Sequence, residues 1–389
     1  MNYAGPKYGR EEIDAVVRVL ENPGQIGAGP AVAEFERAVA ALFAKPHGLM
    51  VNSGSSANLL ALASLDIPAG SEVITPALTF STTVAPILQL GLRPVFADSC
   101  ADTHVVDPEA VEAAVTPRTR AIMIPLLLGN VPDMAALRAV CDRHGLAFVE
   151  DSCDTLGARF GGMPTGAFSD VSTTSFYATH IITCAGGGGL VSFRDERHAE
   201  RARLLTYWGR SSVLFRDGSD DFERRYQGGY DAKFVFAAAG YNLQPLELQA
   251  AFGLEQLKKL PSFIATRRAR WLELLARVSR HADVISTAKG LPGADPVWLA
   301  FPLRVLDSAP FTRRDLAAYL EAHDVQTRPI MAGNILRHPG FEGLACPEHF
   351  PGADAVMRGG LLIGAHQGMT HYDTRYAGDL VDEFVRRHS

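Results

Sequence analysis

Apolar positions along this chain switch repeatedly between two patterns: the three-to-four-residue spacing of a helix, and short unbroken runs of strand length. Ile13, Val16, Val17 and Leu20 mark one amphipathic helix, and Ser56 to Leu65 is apolar nearly all round, as a buried helix would be. Short apolar runs follow at EVITP, PVFAD, AIMIPLLL and LAFVED. Between them PDMAALRAVCDRHG reads as a helix that stops at Gly145, a residue able to close the last turn in a left-handed conformation. This alternation predicts an α/β fold, a mostly parallel sheet wrapped by helices.

The pattern changes toward the C-terminus. From Leu246, LELQAAFGLEQLKKLPSFIATRRARWLELLARV reads as two helices separated near Pro261, the second leading out of the first domain. WLAFPLRV, FTRRDLAAYLEAH and the loop around TRPIMAGN then predict a small α+β domain. The expected division is a large domain over residues 1–255 and a small one over 256–389. The mixed-charge stretch RDGSDDFERRYQGGYD, from Arg216 to Asp231, reads as a long exposed loop.

Composition narrows the function classes. The 389 residues are 47% hydrophobic and 21% charged, with no apolar run long enough to span a bilayer, which predicts a soluble globular protein and no membrane partner. A net charge of -6 argues against nucleic acid as a partner, because such binders present a basic face. The start, MNYAGPKYGREEID, lacks the basic and apolar regions of a signal peptide, so a cytoplasmic location is expected. Five cysteines without a CxxC pair fit reduced thiols rather than disulfides or a metal site.

Chemistry concentrates where the strands end. Asn52-Ser53-Gly54, Thr79-Phe80-Ser81, Gly129-Asn130 and Asp151 each follow an apolar run, and ligands of open parallel sheets bind outside the carboxyl ends of strands. SGSS between strand and helix offers backbone N–H groups and a helix N-terminus to a phosphate. Asp151 is either a strand-end cap or a buried carboxylate facing a protonated heterocycle nitrogen. In STTSFYATHIITCAGGGGLV a turn presents His180, either a hydrogen-bonded structural residue or a base, ahead of the glycine run Gly186 to Gly189.

Taken together, NSGSSANLLAL, TPALTFSTT, PLLLGN, VEDSCDTLGA, SFYATHIIT and GYNLQPLELQAAFGLEQLKKL resemble the DegT/DnrJ/EryC1/StrS sugar aminotransferase family over essentially the whole chain. The resemblance implies a fold-type I, aspartate aminotransferase-like architecture built around pyridoxal 5'-phosphate (PLP). That family carries a Schiff-base lysine in a segment like SFxxxKN, and here His180 stands in its place. With RPIMAGN and IGAHQ, the substitution is similar to the family's lysine-less branch, the PLP- or pyridoxamine 5'-phosphate (PMP)-dependent sugar 3-dehydratases. This likeness implies a lyase removing the C3 hydroxyl of a nucleotide-linked 4-keto-6-deoxy sugar, with His180 as acid/base and glutamate regenerating PMP.

The resemblance also assigns roles by position. Asp151 would pair with the pyridine nitrogen and Phe80 would stack on the ring. Ser55, Ser56 and Ser175 would hold the phosphate, and Asn242 would reach it from the second subunit of a homodimer with a shared site. Asp154 would lie beside the cofactor amine, while Trp208 and Arg328 would meet the sugar nucleotide, Arg328 as an anion contact. Ser211 and Ser212 follow WGR where the iron–sulfur dehydratases carry a cysteine cluster, so no cluster is expected. The chain departs from the branch's pattern at Ala185, Trp208 and Gln244. These departures leave open action on another keto substrate, or an inactive sugar-nucleotide-binding homologue.

Overall fold

Among the described residues seven strands form the central sheet: β1 (His47–Val51), β2 (Glu72–Pro76), β3 (Arg93–Ala97), β4 (Thr119–Pro125), β5 (Ala147–Asp151), β6 (Val171–Ser175) and β7 (Gly189–Phe193). They lie in the order β1-β7-β6-β5-β4-β2-β3, with β7 antiparallel to both its neighbours and every other pairing parallel. The structure is a computed structural model and describes residues 1–22, 24, 26–214 and 229–388. The Arg216–Asp231 stretch therefore lies outside the described residues except for 229–231.

Helices α1 (Arg10–Leu20), α2 (Pro30–Leu42), α3 (Gly54–Ala63) and α4 (Ser81–Gln89) lie in the N-terminal part of the chain. The nearly all-apolar α3 is buried along most of its length, as its sequence predicts. Helix Met134–His144 ends at Gly145 with φ of 62°, the left-handed stop expected there. Among the described residues no helix is long and apolar enough to cross a membrane.

One expectation holds with an addition, and one needs correction. First, α1 forms where its period places it, yet its apolar stripe faces outward: Ile13, Val17 and Leu20 are 42, 41 and 53% exposed. The buried face carries Ala15 and Glu12, whose carboxylate accepts hydrogen bonds from Gln256 Nε2 (2.7 Å), Lys259 Nζ (2.8 Å) and the Gly9 N–H (2.8 Å). Periodicity identifies an apolar face and says nothing of what covers it. Second, Pro261 does not divide two helices, because Glu247–Val278 is one helix of 32 residues.

A proline inside a helix removes one hydrogen bond and costs about 3 kcal/mol. Pro261 lies on the solvent side, where water can satisfy the abandoned carbonyl, and both halves of the helix are anchored. Ala250, Leu260 and Phe263 belong to the core under the large sheet, whereas Trp271, Leu274 and Val278 belong to a second core. That second core packs on an antiparallel sheet of β8 (Ile285–Ser286), β9 (Phe301–Val305), β10 (Arg328–Pro329) and β11 (Gly360–Ile363), in the order β8-β9-β11-β10.

Candidate active site

Because β1, β2, β4, β5 and β6 run in the same direction, the segments after them meet at one edge of the sheet. There they enclose a cavity of about 260 Å³. Ser55, Phe80, Asp151, Asp154, Ser175 and His180, expected from widely separated segments, all line it.

One end is a cradle of hydroxyls and backbone amides. Ser53 caps α3: its Oγ accepts from the Ser56 N–H at 3.1 Å. Ser56 Oγ donates to Asn52 Oδ1 at 2.6 Å, so this hydroxyl turns back into the turn while Ser55 faces the cavity. A Cβ on Gly54 would stand 2.6 Å from Ser175 Cβ and 2.8 Å from Cys153 Sγ, so a side chain there would push α3 off the end of β6. A Cβ on Gly189 would collide with the Ser53 backbone. The glycine run thus serves close approach: Gly188 donates to the Asn52 carbonyl at 3.1 Å, and Gly187 and Gly188 line the cavity. We expect Gly189→Ala to lower stability by at least about 1–3 kcal/mol. Thermal denaturation checks this; an unchanged midpoint would show that the turn can give way.

Asp151 lines the same cavity. It is 5% exposed, and its Oδ2 accepts from Asn58 Nδ2 and Thr83 Oγ1, both at 2.8 Å, while Oδ1 accepts from the Cys153 N–H at 3.1 Å. Asn58 is fixed in turn by Thr173 Oγ1, which donates to its Oδ1 at 2.6 Å. Three elements, α3, α4 and β6, therefore lock one carboxylate as an acceptor. Asn58 and Thr83 escape the sequence reading, although an asparagine in the middle of an apolar helix is a signal, since a buried amide needs partners.

The walls are largely apolar, with Leu126, Leu127 and Met331 among the lining and Phe80 half exposed at the start of α4. Asp154 Oδ2 accepts from the Leu128 N–H at 2.9 Å. Burial raises its carboxyl pKa to about 7, and the neighbouring Asp151 charge pushes the same way. The expected Gly129-Asn130 lining does not occur. Asn130 is buried elsewhere, donating to the carbonyls of Thr103 (2.7 Å) and Lys289 (2.9 Å).

His180 lies 3.3 Å through Nδ1 from the Ser175 carbonyl, and its ring meets Tyr177 edge-on at 5.9 Å. A carbonyl only accepts, so Nδ1 carries the proton and Nε2 keeps its lone pair. Burial lowers the imidazole pKa to about 4, with a further push from the Arg267 guanidinium. The ring is therefore neutral at pH 7.

The remaining expected residues lie outside this lining. Asn242 pairs with Tyr207 across a bridge and accepts from Gln244 Nε2 at 3.1 Å. Trp208 has φ of 60°, donates its N–H to the Tyr241 carbonyl at 2.7 Å and faces the Arg210 guanidinium at 5.0 Å. Arg328 is exposed and lies over the Tyr3 ring at 5.0 Å. Among the described residues no group of His, Cys, Asp or Glu is arranged to hold a metal ion.

A buried carboxylate, a cradle for an anion, an exposed aromatic face and a neutral imidazole suit a flat cationic ring bearing a phosphate. Residues 6–381 match the model of the DegT/DnrJ/EryC1/StrS aminotransferase family. The chain belongs to that family. Among its curated relatives, dTDP-4-dehydro-2,6-dideoxy-D-glucose 3-dehydratase of Saccharopolyspora spinosa is 36% identical, covering 94% of this chain and 82% of its own. The GDP-4-keto-6-deoxy-D-mannose 3-dehydratase of Yersinia pseudotuberculosis is 31% identical, covering 94 and 93%. A solved relative, GDP-4-keto-6-deoxymannose-3-dehydratase with a trapped PLP-glutamate geminal diamine, superposes with a TM-score of 0.87 at 28% identity over 97% of this chain and 99% of that one. The fold is that of the family's PLP enzymes, as the sequence implies.

Proposed function

We propose that the protein is a PLP/PMP-dependent lyase that removes the C3 hydroxyl of a nucleotide-linked 4-keto-6-deoxyhexose, with His180 as its acid/base. The observation that carries this reading is the neutral imidazole, Nε2 unprotonated, lining the cavity from the segment that holds the family's lysine.

The residues present fit the cofactor. Asp151 is held as an anion acceptor by three donors and suits a protonated pyridine nitrogen. Ser55, Ser175 and the N-terminus of α3 suit the phosphate, and Phe80 offers a face to the ring. PMP, when bound, supplies an amine to condense with the sugar's C4 carbonyl and a ring that accepts electrons. His180 Nε2 then takes up one proton and returns it to the oxygen departing from C3, which leaves as water. Imidazole cannot hold the cofactor covalently as lysine does, so the amine form stays free for the sugar. Burial raises the Asp154 carboxyl pKa to about 7, which reduces the negative charge it places beside the amine.

Glutamate is the proposed amine donor, supported by the glutamate adduct trapped in the solved relative. We also propose a cytoplasmic homodimer with a shared site. The outward stripe of α1 supports a partner surface, and the position of Asn242 and Trp208 beyond their own chain's cavity lining supports a role at the partner's site. Relatives acting on dTDP- and GDP-linked sugars are both similar to this chain, so both nucleotides belong in the test.

The protein should be supplied with PMP and glutamate, then with dTDP-, GDP- and CDP-linked 4-keto-6-deoxy sugars. The expected product is a keto sugar lighter by one oxygen atom, with 2-oxoglutarate and ammonia in equal amounts. A product that retains nitrogen would mean transamination instead. No product from any of the three would point to another keto substrate or to an inactive binding protein.

A further inference from the structure

The long helix carries Leu260, Phe263, Arg267, Trp271, Leu274 and Val278 at spacings of three and four, so Arg267 falls on its apolar stripe. It is 1% exposed, among the largest side chains buried to that degree. Arg267 forms no ion pair with any described residue, which is unusual for a buried charge. Its partners are three carbonyl oxygens: Leu299 (2.8 Å) and Trp298 (3.2 Å) through Nη1, and His180 (3.4 Å) through Nη2. Nε is buried without a hydrogen bond to any described residue.

Such an arrangement is poor for stability and specific in geometry. A planar guanidinium donates in two directions at once, toward the segment entering β9 and toward the turn that presents the imidazole. A methionine or leucine would fill the stripe with no charge to desolvate. We propose that Arg267 is a positioning residue for His180: its guanidinium fixes the His180 turn against the C-terminal sheet and sets a cation beside that turn. This rests on His180 as the base of the proposed reaction.

The electrostatic part can be followed through the groups facing the imidazole. Arg267 disfavours the imidazolium, and the Asp151 carboxylate favours it. Tyr177 from the same turn, together with Asp154 and Cys153 from the segment after β5, faces the same cavity, with the Asp154 pKa raised to about 7 and the group so partly ionised near neutrality, and burial keeping the Cys153 thiol protonated. His366, after β11, is neutral through burial and through Arg267 itself; it holds the Asn2 carbonyl at 3.2 Å and accepts from the Gly368 N–H at 3.2 Å. Arg267, its pKa lowered by burial to about 9 and so still a cation at pH 7, thus opposes Asp151 at His180.

The test compares Arg267→Gln and Arg267→Lys with the parent, each loaded with PMP. Two quantities are read: the His180 titration by NMR of ring-labelled histidine, assigned with His180→Asn, and the pH profile of turnover. In Arg267→Gln the His180 pKa and the acid limb of the profile should both rise by about one pH unit. Arg267→Lys keeps the charge and loses the fork. His180 should then titrate as in the parent, while kcat falls about tenfold or more with KM little changed. An unmoved His180 titration in Arg267→Gln would overturn the electrostatic role, and undiminished kcat in Arg267→Lys would overturn the positioning role. If Arg267→Gln does not fold, Arg267→Lys still decides the second. Full activity in His180→Asn would instead discard His180 as the base, whatever the titration showed.

Discussion

His180→Asn is expected to bind PMP and to dehydrate about 10²–10⁴ times more slowly than the parent. Asparagine can still donate an N–H toward the Ser175 carbonyl and fill most of the imidazole's space, but it offers no lone-pair nitrogen to take a proton. Mass analysis of the sugar product measures turnover, and cofactor absorbance measures retention; turnover near the parental rate would remove His180 from the chemistry. The pH dependence has a definite sign. The imidazole pKa is lowered to about 4, so the neutral base is present above that value and is lost as pH falls through it. An acid limb near the ordinary imidazole range would mean that bound cofactor and sugar restore the proton affinity that burial removes.

The second large effect is expected at Asp151. Asp151→Asn keeps the volume but removes the charge, and its NH2 group would face the donors Asn58 Nδ2 and Thr83 Oγ1 if the oxygen kept its bond to Cys153. The reverse flip would leave the Cys153 N–H against a donor. A charged hydrogen bond is worth about 1.5–3 kcal/mol, so PMP affinity should fall by about 10–100-fold, and turnover further because the pyridine proton is no longer stabilised. Titration of PMP by absorbance reads the first and initial rates read the second. Unchanged PMP affinity would show that Asp151 only caps its strand, the alternative its sequence position allows.

The cavity's outline is legible in the sequence because a parallel sheet imposes it. Once EVITP, AIMIPLLL and LAFVED are strands of one direction, SGSS, Phe80 and Asp151 have to meet at one edge. What holds Asp151 in place is less accessible, since Asn58 and Thr83 lie 93 and 68 residues away along the chain and meet it only through folding. Asn130 misleads for a related reason: an asparagine after a strand is equally at home bridging two loops. At Pro261 a local rule fails because burial on both sides of the proline outweighs one missing hydrogen bond. Arg267 stands in TRRARW beside Arg268 and Arg270, and the run reads as a solvated charge cluster. Only the phase of the apolar stripe separates the buried arginine from Arg268, which reaches Asp295 at the surface.

The unbroken helix from Glu247 to Val278 also limits how the C-terminal lobe can be exchanged between relatives. Each residue advances an α-helix by about 100°. A graft joined within it with one residue too many would swing Arg267 off the His180 turn and carry Trp271 and Leu274 out of their core together. Crossovers in this region therefore have to conserve helical phase as well as sequence, and the spacing from Leu260 to Val278 is the ruler by which donor and recipient must agree.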